Sequence, residues 1–148
     1  MKIFKKEHIG IHHIGSTSVQ TVCYAKPIID ILLVVKNIEQ VDIYNEQIKT
    51  LGYEPRGENG IIGRRYFPKG NEKRTHHLHI FQGGDENIKT HLNFKEYLIN
   101  HPQDAQDYGE LKIKLASLYP DDIHKYQQGK EHFVNGLVLK AKKWAAGA

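Results

Sequence analysis

Gly15-Ser16 is followed by thirteen residues and then by Asp30-Ile31-Leu32. A Gly-Ser turn between two strands can bring backbone N–H groups close to a phosphate, because glycine has no Cβ to block the approach. An acid on the neighbouring strand can hold a divalent cation that neutralises phosphate oxygens. Asp30 interrupts the apolar run Ile28 to Val35. A carboxylate inside such a strand is costly unless it is paired or bound to a cation. The competing reading is that Asp30 accepts hydrogen bonds from the Gly-Ser turn.

His77 and His79 stand at i, i+2 and so share one face of a strand. They can serve as ligands or as acid–base groups, since histidine titrates near neutrality. One metal on Asp30 and His79, with His77 or His13 added, is a candidate site. Neutral imidazole favours zinc or manganese over magnesium there. Histidines that hydrogen-bond across the sheet are the alternative. Lys26, Arg64, Arg65, Arg74, Lys112 and Lys130 are candidate phosphate contacts, Arg as a bidentate fork and Lys as a point charge. Arg64 and Arg65 point to opposite strand faces, so at most one faces the site. Each lysine by itself reads more readily as a solvated surface charge, because lysine is mostly exposed. Asp122, Tyr126 and Lys130 line one helix face if Gly129 does not break that helix. Ser16 has no Gly-x-Ser-x-Gly elbow around it, so a phosphate or acid contact suits it better than a nucleophile's role. Cys23 has no defined base nearby. His76 is expected on the sheet face opposite His77 and His79.

These groups need strands and turns to place them. Ile9 to Ile14 reads as a short strand running into the turn at Gly15 to Ser18. Ile28 to Val35 reads as a strand covered on both faces. Asn37 with Gln40 resembles a capping box, and Ile38, Val41, Tyr44, Ile48 and Leu51 follow at helical spacing up to Gly52. Ile61 to Phe67 and Thr75 to Phe81 read as a β-hairpin. A helix from Ile88 ends before Pro102, which starts the next one. After Pro120, Asp121 can cap another turn or two, and Phe133 to Trp144 mark a final amphipathic helix. The order β-β-α-β-β-α-α-α predicts an α+β fold with a mixed sheet covered by helices.

Composition sets the outer limits. The chain has 148 residues and a formal charge of +4, with ten histidines and one cysteine. That size predicts one domain over residues 1–148. One cysteine excludes an internal disulfide and fits a cytoplasmic setting. No run is apolar enough for a membrane helix. The mild basic excess suits an anionic ligand, whereas a nucleic-acid partner is disfavoured because aromatics are not interleaved with a basic stripe.

His13-Ile-Gly-Ser-Thr-Ser-Val19 and Ala25-Lys-Pro-Ile-Ile-Asp-Ile31 closely resemble the signature of the GrpB-like family, grouped with the nucleotidyltransferase superfamily. Arg74-Thr-His-His-Leu-His79 resembles its second motif. Tyr108, Lys112, Leu115, Asp122, Tyr126, Lys130, Phe133 and Trp144 resemble its helical half. The resemblance implies a nucleotidyltransferase-like mixed sheet of about four to five strands with a helical C-terminal half. Together with the residues above, the expected function is a domain that binds a nucleotide or another phosphorylated small molecule with a divalent metal (Mg, Mn or Zn), nucleotidyl transfer being the reaction such a fold could carry. Gly15, Ser16 and Thr17 would cradle phosphate, Asp30 would hold a cation or orient the attacking hydroxyl, and Lys112 and Lys130 would balance charge. His12 departs from the family's Glu, and Gln20-Thr-Val22 from its Pro-Gly-Leu. The family's extra helix before the first strand is not represented, so a partner subunit in a homodimer could close that surface. Active members of the superfamily carry Asp-x-Asp and a third acid for two metal ions. Leu32 stands where the second acid would be, so the alternative is an inactive module that binds a ligand or a protein.

Overall fold

The computed structural model describes residues 2–20, 22, 28–71 and 73–147. Its chain forms two compact units. The first comprises the described residues of Met1–Ile14 and Pro27–Lys89, and the second those of Gly15–Lys26 and Thr90–Ala148.

The first unit is built on a four-stranded mixed sheet in the order β1-β2-β4-β3. Its strands are β1 (His8–Ile14), β2 (Ile29–Val35), β3 (Arg64–Lys69) and β4 (His76–Gln82). β1 pairs antiparallel with β2, β2 parallel with β4, and β3 antiparallel with β4. β2 and β4 run parallel, and the chain passes from one to the other through residues 36–75, which include β3. β2 lies inside the sheet, which explains its near-continuous apolar sequence. Alternation sends Leu33, Val35, Phe67, Leu78 and Ile80 to one face, where they pack with Phe4, Val41, Ile48 and Tyr53 as the core. The opposite face carries Asp30, Tyr66, His77 and His79, whose positions have the other parity in the same registers.

The segment after β2 differs from the expected helix. It runs as a 3-10 helix over Ile38–Tyr44 and becomes α-helical only in α1, Asn45–Lys49. The β-branched Ile38, Val41 and Ile43 lower its α propensity. Asn37 caps it by accepting from the Glu39 N–H at 3.0 Å, so the expected partner Gln40 is not the side chain that closes the cap.

The helical half contains α2 (Glu86–Asn100), α3 (Pro102–Leu118) and α4 (Ile123–Ala145). Pro102 opens α3, as its lack of an N–H predicts. The expected short helix after Pro120 and the final amphipathic helix are one continuous element, capped by Asp122 rather than Asp121. Gly129 does not interrupt it. A Cβ at Gly129 would lie 2.5 Å from Leu115 Cδ2, so glycine is there for close α3–α4 approach. Val19, Val22, Tyr97, Leu98, Ala105, Tyr108, Leu137 and Ala141 form the second unit's core. No described helix is long and apolar enough to cross a membrane.

Candidate functional site

The parallel β2–β4 register sets Asp30 opposite His77, with His79 two positions along on the same face. The Asp30 carboxylate reaches both imidazoles. Its Oδ1 lies 3.4 Å from His77 Nδ1 and 3.2 Å from His79 Nε2. Burial pushes this carboxyl up, but the hydrogen bonds and charges of His77 and His79 outweigh it and hold Asp30 well below the usual carboxylate range. The anion is therefore the resting form at neutral pH.

Two groups on β3 complete the surroundings. The Tyr66 ring lies 5.7 Å from the His77 ring and 5.3 Å from the His79 ring. The Arg64 guanidinium stacks 4.8 Å over Tyr66 and directs Nη1 at His79 Nδ1, 3.4 Å away. Arg64 is buried, and the preceding loop holds it. Its Nε donates to the Glu58 carbonyl at 3.1 Å and its Nη2 to the Asn59 carbonyl at 2.8 Å. Positive φ at Gly57, Asn59, Gly60 and Gly63 turns that loop back on itself, which glycine allows at little cost. Burial pushes the Arg64 guanidinium down, and nearby Tyr66 partly offsets this. Burial pushes the Tyr66 hydroxyl up, while the Arg74 charge opposes it. Arg74 keeps Nη1 buried without a hydrogen-bond partner among the described residues. Tyr66 was not singled out from sequence. The signal was available in its alternation with Arg64 on a strand paired to the histidines.

Asp30, His77 and His79 offer one ligand atom each, all within 4.8 Å of one another. A tetrahedral ion with bonds of about 2.05 Å sets its ligands roughly 3.3 Å apart. The two Asp30–imidazole distances fit that edge. A carboxylate with two imidazoles suits a first-row transition ion better than Mg2+. The residues present therefore suit one such ion, with Asp30, His77 and His79 as the groups within reach of it. Bound there, an ion would supply positive charge to phosphate oxygens.

The other expected residues divide. His13 pairs with Ile31, so it lies on the sheet face opposite Asp30 and does not join the cluster. His76 also faces away and sits edge-on to Tyr53 at 6.3 Å. Arg65 leaves the site for Asp42, at 2.8 Å, so Arg64 is the one arginine of the pair on the histidine face. Lys26 lies outside the described residues, as does Cys23.

A second constellation belongs to the second unit. Gly15 has φ 74°, and Ser16, Thr17 and Ser18 form a short 3-10 turn after it. Lys112 on α3 is buried, and its Nζ donates to Ser16 Oγ at 2.6 Å. The same ammonium lies 4.9 Å from the Tyr108 ring. On α4, Lys130 lies 5.6 Å over the ring of buried Tyr126. Taken alone, this is a hydroxyl-and-ammonium pair at a glycine turn, chemistry suited to an anionic oxygen.

Known proteins resemble the chain over nearly all of its length. The UPF0157 protein YqkA of Bacillus subtilis is 50% identical over 145 residues, covering 98% of this chain and 42% of that protein. The chain thus spans less than half of that relative's length. The crystal structure of the conserved protein GrpB from Enterococcus faecalis superposes with a TM-score of 0.90 at 44% identity, covering 97% of this chain and 86% of that one. A more distant likeness, 23% identity over 164 residues, is to a dephospho-CoA kinase of Mycobacterium leprae, covering 93% of this chain and 40% of that enzyme. The family described as GrpB protein matches residues 1–140, and the chain belongs to it.

Proposed function

We propose that this chain is a nucleotidyltransferase-like domain that binds a nucleotide or another phosphorylated small molecule together with one divalent cation. The observation that carries the reading is the convergence of Asp30, His77 and His79 on one sheet face. Arg64 and Arg74 add positive charge around Tyr66 on that unit. In the second unit, Ser16 with Lys112 supplies a separate group suited to a phosphate oxygen. The distant dephospho-CoA kinase likeness is in keeping with a nucleotide ligand. The same reading places the protein in the cytoplasm, where such ligands are made and used.

Leu32 favours a second reading, binding without nucleotidyl transfer. It is fully buried at the position where a second acid would be needed. A single carboxylate cannot hold two ions in the in-line arrangement. Thermal unfolding with Zn2+, Mn2+ or Mg2+, each with and without a nucleoside triphosphate, tests the binding claim. A ligand at a hundredfold excess over its Kd stabilises the fold by about 2.7 kcal/mol. A shift with nucleotide and metal, absent in Asp30→Asn, supports it. An unmoved melting temperature in every mixture overturns it. Release of pyrophosphate from the triphosphate separates transfer from binding alone.

A further inference from the structure

His79 has both ring nitrogens engaged. Nε2 stands 3.2 Å from Asp30 Oδ1, and Nδ1 stands 3.4 Å from Arg64 Nη1. A guanidinium carries N–H donors and no acceptor. Nδ1 must therefore accept, and the ring proton must sit on Nε2, where it is donated to Asp30. Metal ligation asks for the reverse. The ligating nitrogen must give up its proton, and the other N–H normally points at a carboxylate or carbonyl. Arg64 cannot be that acceptor. Nor is it free to turn, because its Nε and Nη2 are tied to the carbonyls of Glu58 and Asn59. His77 differs. Its Nδ1 faces Asp30, and among the described residues it makes no hydrogen bond to a guanidinium.

We propose that Arg64 fixes His79 as an Nε2–H donor, so that a cation here takes two protein ligands, Asp30 and His77, and completes its shell with phosphate oxygens and water. This rests on the reading above and deepens it. The cation and the phosphorylated ligand then enter as a pair, each weak without the other. His79 is a positioning residue for the Asp30 carboxylate, and Arg64 is the residue that keeps it so.

Calorimetric titration of Zn2+ alone into the intact chain tests this, with Arg64→Gln and Arg64→Lys beside the wild type. Gln offers a carbonyl that can accept from Nδ1–H, releasing Nε2 for the metal. Arg64→Gln is expected to bind Zn2+ at least about tenfold more tightly than wild type, the scale on which such outer partners act. Adding His79→Ala to Arg64→Gln should erase the gain. Arg64→Lys keeps a donor-only group and should stay within about threefold of wild type. Nitrogen NMR of the wild-type histidine rings needs no variant, and should show His79 protonated at Nε2 and bare at Nδ1. A proton on Nδ1, or tight wild-type Zn2+ binding that Arg64→Gln leaves unchanged, overturns the inference. Absence of any nucleotide effect in the wild type would count against the ligand reading instead, and the tautomer would still be read directly.

Discussion

His79 on β4 reaches back along the sheet to place Nε2 3.2 Å from the Asp30 carboxylate on β2, although the residue directly opposite Asp30 is His77. One acid is thereby held by two imidazoles on the same face of the adjacent strand. This relationship explains how a carboxylate persists in a strand that is otherwise apolar. Its charge is met by N–H donors, so the cost of taking it from water is offset within the sheet.

The depressed Asp30 carboxyl gives folding a pH dependence of known sign. A group whose folded pKa lies below its unfolded value stabilises the fold above the unfolded pKa, about 3.9 for Asp. That contribution is lost as pH falls from there toward the lower folded value. Acid unfolding followed by circular dichroism should show Asp30→Asn less stable than wild type near neutrality. The difference should shrink below about pH 4. A constant difference across that range would detach the stabilisation from the Asp30 charge.

Leu32 offers a test of whether the missing second acid can simply be put back. Its side chain is 0% exposed. Leu32→Asp would bury a second carboxylate on the face of Asp30, opposite His79, whose Nε2 already faces Asp30, at roughly 3–5 kcal/mol by analogy with broken buried pairs. Urea denaturation should show that loss. A stable Leu32→Asp that gains a Mg2+ response would mean the position is open to an acid after all.

The α3–α4 contact predicts opposite effects for two glycines of one helix. A Cβ at Gly129 would meet Leu115 Cδ2 at 2.5 Å, whereas one at Gly136 meets nothing within 4 Å. Gly136→Ala should stabilise by about 0.5–1 kcal/mol through helix propensity. At Gly129 overpacking of roughly 1–3 kcal/mol should exceed that gain. Equal and favourable effects in urea titrations would show that Leu115 yields without cost.

Much of this was legible in the sequence because it depends on local periodicity. The alternation of His77 with Leu78 and His79 placed both histidines on one face, and the acid within Ile28 to Val35 marked Asp30 as unusual. The four strands and the helical C-terminal half followed from apolar spacing and from Pro102. What depended on register was not legible. His13 precedes Ile14, and it is Ile14 that pairs with Asp30, so one residue of offset puts His13 on the other face. The choice between Arg64 and Arg65 likewise turned on Arg64 pairing with Phe81 rather than on either residue's type. Tyr66 was missed because an aromatic residue in a strand is ordinary until its neighbours are known. The single long α4 was hidden by Gly129, whose role lies in contact with Leu115 and not in its own segment.

The central claim is that the Asp30 cluster takes a divalent cation together with a phosphorylated ligand. The most direct measurement is calorimetric titration of a nucleoside triphosphate into the intact chain, with and without Mn2+, for wild type and Asp30→Asn. The account predicts binding in wild type that tightens at least about tenfold with Mn2+ and loses that dependence in Asp30→Asn, a coupling of roughly 1.4 kcal/mol or more. Nucleotide binding that is the same with and without the metal, or a metal effect that survives in Asp30→Asn, would contradict it.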